Sequence, residues 1–205
     1  MIELVTLLAF IPAALALNLT PGADMMFCLG QGLRSGPRAA VAASAGIALG
    51  GMVHVTLAAL GLSAAVAALP WLLDLMRWVG VAYLLYLAWG AFRSRALPLD
   101  APQIPAGRAF RAGLVVNLTN PKVILFVLAF LPQFVDGARP VLPQFLILGA
   151  VLSLGGFVIN GLVGLFAGGA GRHLTQSPQA ARVLGWLSGT IFTALALRLA
   201  IQERA

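Results

Sequence analysis

The chain has 205 residues, 60% of them hydrophobic and only 9% charged, with a mean hydropathy of +0.97. A soluble domain carries roughly 25% charged residues, so this composition excludes a water-soluble globule and predicts an all-α membrane protein. Thirteen basic against six acidic residues give a net charge of +7. The basic residues fall mainly between apolar runs, without a basic-aromatic surface, which argues against nucleic acid as a partner.

A membrane crossing needs about 20 mostly apolar residues. Six stretches qualify in chain order, over 3–33, 38–63, 70–92, 111–134, 142–168 and 181–201. The segment Met1–Leu17, apolar and containing Ala14-Leu15-Ala16, has some look of a signal peptide. It has no basic n-region, carries Glu3 and runs on into a proline motif, so it is expected to be a retained first span. That first stretch is too long for one straight crossing: its residues would make roughly 46 Å of helix against a hydrocarbon core of about 30 Å. Pro21-Gly22 is where it should break.

The same kind of interruption recurs about halfway along. Asn18-Leu19-Thr20-Pro21-Gly22-Ala23-Asp24 is echoed by Asn117-Leu118-Thr119-Asn120-Pro121-Lys122. Each copy sets a proline, hydrogen-bonding side chains and one charge inside an apolar stretch. Backbone that leaves the helix at membrane depth is tolerated only where protein or water covers it. Paired interruptions in two halves point to a transporter's binding site. Leu49-Gly50-Gly51-Met52-Val53 is likewise echoed by Leu154-Gly155-Gly156-Phe157-Val158, and Trp78-Val79-Gly80 loosely by Trp186-Leu187-Ser188-Gly189.

The proline-interrupted stretch Arg93–Gly107 divides the chain with three spans on each side. A single transmembrane domain over 1–205 is predicted, with repeat one at 1–97, a linker at 98–105 and repeat two at 106–205. Three is odd, so the second half must enter the membrane in the opposite sense, as an inverted repeat with its first and fourth helices broken. Arg34, Arg38, Arg93, Arg95, Arg108, Arg111, Arg172 and Arg182 fall on one side. The positive-inside rule puts that side in the cytoplasm and both termini outside. Both prolines then lie about 15–20 Å from the cytoplasmic boundary, near the midplane.

Proline removes a donor and strands carbonyls in the preceding turn. Half-helix N-termini suit a carboxylate. Freed carbonyls, with Asn18, Thr20, Asn117 and Thr119, could hold an ammonium. Asp24 and Lys122, ionisable groups inside spans, carry a functional expectation by default. Asp24 would exchange a proton while Lys122 meets a substrate carboxylate or serves as counter-ion; a structural ion pair between the halves is the alternative. Pro21, Gly22, Asn120 and Pro121 shape the cage. His54 and Asn160 would stand behind it if they lie near the prolines, and otherwise bridge helices. Gly46, Gly50, Gly51, Gly155, Gly156, Gly161 and Gly164 are read as close-packing positions. Trp71, Trp78, Trp89, Trp186, Tyr83 and Tyr86 are read as packing or interfacial anchors. Cys28 is alone, so neither a disulfide framework nor a multi-cysteine metal site is expected.

Leu19-Thr20-Pro21-Gly22-Ala23-Asp24 followed by Gly32-Leu33-Arg34-Ser35-Gly36 resembles the first signature of the LysE/RhtB superfamily. Asn117-Leu118-Thr119-Asn120-Pro121-Lys122 resembles its second, and Gly80–Trp89 is similar to its third span. The resemblance covers essentially the whole chain, with one departure: Ala23 stands where many members have a second proline. It implies a bacterial inner-membrane exporter of amino acids or close derivatives, driven by the proton gradient. Asp24 looks more like the homoserine/threonine-exporter branch. The partners expected are thus a small amino acid, protons and lipid, with a homodimer allowed and no cofactor. The rival readings are export of another small solute or a cation, and a membrane scaffold that transports nothing. A single carboxylate deep in a span argues against a metal path. An enzyme is not expected, since His54 and His173 are the only histidines.

Overall fold

The computed structural model describes residues 2–68, 72–93, 103–167 and 177–201. Their regular structure is helical, with no strand: α1 Leu4–Leu19, α2 Ala23–Ser35, α3 Pro37–Ala68, α4 Leu72–Phe92, α5 Ala106–Leu118, α6 Pro121–Leu125, α7 Val141–Leu165 and α8 Pro178–Ile201. Trp71, Arg95, Arg172, His173, Arg204 and most of the 98–105 linker lie outside the described residues.

Two sharp bends dominate the architecture. Thr20, before Pro21, is extended (φ −68°, ψ 115°), because the proline ring crowds the helical conformation of the residue ahead of it. Gly22 is extended too, and α2 leaves α1 at 53°. Asn120, before Pro121, obeys the same constraint (φ −77°, ψ 106°), and the helix beyond it departs from α5 at 52°. Past α6 the backbone widens into a π-helical turn over Phe126–Phe130, then tightens into a 3-10 turn over Leu131–Phe134 that holds Pro132. The part of the 111–134 stretch beyond Pro121 is therefore not one regular α-helix. Between α2 and α3 the chain turns at Gly36, whose φ of +86° is a left-handed conformation that favours glycine.

Small residues set the packing. A Cβ on Gly46 would strike the Phe110 carbonyl and one on Gly113 the Ala43 carbonyl, so α3 and α5 cross backbone to backbone. Gly32 and the Gly164 carbonyl bring α2 equally close to α7. α3 also packs along α7, and α4 pairs with α8, where Phe92 meets Trp186 edge-on at 5.1 Å. The core joins Phe10, Leu17, Val55, Leu84, Phe126, Phe130, Phe145 and Phe192. Large apolar side chains also cover the outer surface, Leu57, Leu154, Val183 and Trp186 each being at least 60% exposed. That is the surface of a protein solvated by lipid.

α3, α7 and α8 are each long and apolar enough to cross a membrane, and counting each bent pair as one span gives up to five. α4 is apolar over Trp78–Phe92. Some boundaries differ from expectation. Extended Pro105 starts α5 at Ala106, so Arg108 and Arg111 lie on its first turns instead of in a connecting loop. α3 runs on to Ala68, and α7 stops at Leu165.

Candidate functional site

The first bend strands carbonyls at the end of α1, and a lysine from the other half of the chain collects them. Lys122 Nζ donates to Leu17 O at 2.7 Å and to Thr20 O at 2.9 Å. A cation on the last carbonyls of a helix is favourable both as a hydrogen bond and against the helix dipole. Thr20 turns inward as well, donating its hydroxyl to Ala16 O at 2.6 Å. An ammonium has three donors, so Lys122 retains one. The second bend fixes the lysine's position: Asn120 Oδ1 accepts from Lys122 N at 3.0 Å, capping α6, and Tyr83 OH donates to Lys122 O at 2.7 Å. Pro121 takes the first helical position, where a missing N–H costs nothing.

Asp24 lies in the first turn of α2, where the helix dipole favours a carboxylate. Its Oδ2 accepts from Asn117 Nδ2 at 2.9 Å, tying the first half's motif to the second's. Its Oδ1 is buried without a partner, as is Asn117 Oδ1. His54 Nε2 lies 3.2 Å from Asn117 O. Asp24 and Lys122 form no ion pair; among the described residues the ion pairs are Arg139–Glu3 and Arg139–Asp136. Both instead line one cavity of about 20 Å³, together with Leu17, Asn18, Thr20, Gly22, Met25, Asn120, Val123 and Asn160. That volume holds about one water. In this arrangement the site is filled almost entirely by its own polar groups.

The glycine pairs seat the asparagines crosswise. Asn18 donates to Leu152 O at 3.0 Å and lies over Gly155 and Gly156, where a Cβ would stand 3.1 Å from its amide. Asn117 lies over Gly50, where a Cβ would stand 2.7 Å from Oδ1. Asn18 thus rests on the second half's Gly155 and Gly156, and Asn117 on the first half's Gly50.

Of the residues expected at the site, Asn18, Thr20, Gly22, Asp24, Asn120, Lys122 and Asn160 meet at the cavity, with Asn117 and His54 behind Asp24. Asn160 is therefore in the wall itself. Pro21 and Pro121 shape the bends. Thr119 does not join the cage: it is exposed, and its hydroxyl turns back to Val115 O at 2.9 Å. A chain turning into Asn120 leaves that side chain on the outer side of the bend. Tyr83 is the site residue missed by sequence reasoning, which took it for an anchor. Nothing in its neighbours, Ala82 and Leu84, set it apart from Tyr86 one turn on. Among the described residues no three of His, Cys, Asp and Glu stand together as metal ligands.

Comparison with known proteins gives this architecture a context. The family model described as LysE type translocator matches residues 15–203. An uncharacterized membrane protein of Vibrio cholerae is 33% identical over 94% of this chain and 95% of its own. A homoserine/homoserine lactone efflux protein of Salmonella typhimurium is 35% identical over 69% and 70% of the two chains. A leucine efflux protein of Enterobacter is 30% identical over 93% of each. No solved structure matches. A match running nearly end to end, over a helical membrane chain with its polar site at two proline bends, establishes that this protein belongs to the LysE family of translocators, which are transporters and not enzymes.

Proposed function

We propose that the protein is a secondary transporter that exports small neutral amino acids across the bacterial inner membrane in exchange for protons. The observation that carries this reading is the joining of the two proline bends at one buried polar cavity, through Asp24–Asn117 and through Lys122 on Leu17 O and Thr20 O. The efflux proteins among its relatives, named for homoserine and leucine, support the substrate class. In this reading the chain makes six spans in two inverted halves, with both termini outside. The crosswise seating of Asn18 and Asn117, the equal bends of 53° and 52° and the pairing of α4 with α8 all support that symmetry.

The mechanism follows from competition for the same groups. The Lys122 ammonium sits where a substrate ammonium would, on carbonyls freed by Pro21. An arriving zwitterion displaces it, and the released lysine turns its charge to the substrate carboxylate. Ionised Asp24 accepts either the substrate ammonium or a proton, but not both. A proton on Asp24 weakens its charge-assisted bond from Asn117 and loosens α2 from α5. Proton entry and amino-acid exit thereby alternate on one carboxylate.

The test is reconstitution of the purified protein in proteoliposomes loaded with labelled L-leucine or L-homoserine. An inward proton gradient should accelerate their exit at least about tenfold over liposomes without protein, a rate difference worth about 1.4 kcal/mol in the barrier. Failure to move any neutral amino acid would overturn the substrate class. Movement indifferent to the gradient would overturn the coupling.

A further inference from the structure

A second cavity, of about 310 Å³, opens where α1 begins and α8 ends. The 3-10 turn at 131–134, the 135–140 loop and the start of α7 complete its wall. That volume lies within the range of about 300–1,000 Å³ typical of small-molecule sites. Among the described residues its charged groups are two of each sign: Glu3 and Asp136, Arg139 and Arg198. Arg139 is shared by the two carboxylates, Nη2 to Glu3 Oε1 at 2.9 Å and Nε to Asp136 Oδ2 at 3.0 Å. Arg198, on α8, makes no ion pair among the described residues. The loop that carries Asp136 is held by Gln144, which is buried and both accepts from Asp136 N and donates to Asp136 O, each at 2.9 Å. Among the described residues the wall has no net charge, and its partly exposed groups of both signs suit a ligand that is itself neutral overall and charged at each end.

A cluster of aromatic rings reaches from this cavity toward the polar site. Phe130 and Phe134 line it. Phe134 meets Phe10 edge-on at 5.2 Å, Phe130 meets Phe126 at 4.9 Å, and Phe10 and Phe126 lie 6.3 Å apart. Phe126 follows Val123 by one turn and Phe10 precedes Leu17 by two, and both Val123 and Leu17 wall the small cavity. Phe126 and Phe130 are the two ends of the π-helical turn, a backbone form frequent at functional sites.

We propose that this outer cavity is the release vestibule of the transport path and a second binding site for the amino acid, in which Arg198 takes the carboxylate of the zwitterion and Glu3 and Asp136 take its ammonium. The four phenylalanines form the barrier that the amino acid passes to reach it. The proposal rests on the exporter reading above, and the experiment keeps the two apart.

The measurement is exchange in proteoliposomes with the protein inserted in one orientation. Labelled L-leucine or L-homoserine inside is driven out by the same unlabelled amino acid added at the α1–α8 end. Arg198→Gln should raise the half-saturating outer concentration about tenfold, the loss of one charge-assisted contact. The half-saturating inner concentration should move less than about twofold, and Arg198→Lys should recover most of the outer affinity. L-Leucinol, which has no carboxylate, should compete equally well against both forms. Glu3→Gln forms an independent arm and should weaken leucine and leucinol alike, since both carry the ammonium. An unchanged outer constant in Arg198→Gln, or equal shifts on the two sides, overturns the vestibule while leaving the exporter reading intact. A wild-type protein that exchanges neither amino acid overturns the exporter reading, and the vestibule with it.

Discussion

Replacing Gly50 with alanine would put a methyl group 2.7 Å from Asn117 Oδ1 and 2.9 Å from Asn117 Cβ. The second distance decides the outcome. It is about 0.6 Å short of the closest ordinary carbon–carbon contact, and no rotation of Asn117 moves its Cβ. The helices must part, yet α3 and α5 already touch backbone to backbone at Gly46 and Gly113. Overpacking of this kind costs about 1–3 kcal/mol, which in a chain of this size is a fall in Tm of about 2–12 °C. A displacement of a few tenths of an ångström also carries Asn117 Nδ2 beyond good hydrogen-bond distance of Asp24, from its present 2.9 Å. Export should fall at least about tenfold, since one hydrogen bond to a charged group is worth about 1.5–3 kcal/mol. Gly51→Ala is the internal comparison. Its methyl would meet only Ser153 Oγ at 2.7 Å, with Ser153 Cβ at a comfortable 3.7 Å. That hydroxyl has no partner to lose and can rotate away, so the cost should stay below about 1 kcal/mol. Thermal unfolding in detergent and efflux from proteoliposomes read both quantities. Equal behaviour of the two variants would refute the argument that a fixed Cβ, and not crowding in general, makes Gly50 indispensable.

Asp24→Asn should abolish proton-driven efflux while the protein still inserts and unfolds cooperatively; undiminished pH-dependent efflux would remove Asp24 from the coupling. Lys122→Met takes away the donor to Leu17 O and Thr20 O, so unfolding should become easier by about 2–4 kcal/mol, with transport lost; a variant as stable as wild type would show that those carbonyls need no lysine. Tyr83→Phe deletes a single hydroxyl, the donor to Lys122 O, and should cost about 1 kcal/mol, a Tm fall of about 2–4 °C. Single cysteines placed at Glu3 and Ala138 in a Cys28→Ser background should react with an impermeant thiol reagent from outside intact cells, and one at Arg38 should not. The reverse pattern would invert the assigned orientation.

Much of the site was legible because its determinants are local. A proline dictates an extended residue before it, so Thr20 and Asn120 could be placed from their neighbours alone. The glycine pairs were legible as close-packing positions, but not that Asn18 would rest on Gly155 and Gly156 and Asn117 on Gly50. What sequence could not reveal was who pairs with whom across space. Asp24 and Lys122 invited a salt bridge, yet each found a partner that desolvates less charge: an asparagine amide for one, backbone carbonyls for the other. Thr119 shares its motif position with Thr20, but the bend after Thr20 begins one residue earlier in the motif. That single step turns one hydroxyl inward and the other out. The π-helical turn after Leu125 has no local signal, since Phe126–Phe130 reads as ordinary helix by composition. Its form depends on how those rings pack against Phe10 and Phe134.

The crosswise seating has a consequence for how the molecule comes into being. Asn18 bonds to a carbonyl 134 residues further along the chain. At ribosomal speeds of about 5–20 residues per second, that carbonyl is made roughly 7–27 s after the asparagine. For most of that interval, until Lys122 is made, Leu17 O and Thr20 O lack the donor that they have in the finished fold. The nascent amino-terminal half can be inserted but not finished, and whatever shields it in the meantime sets the yield of correctly folded protein.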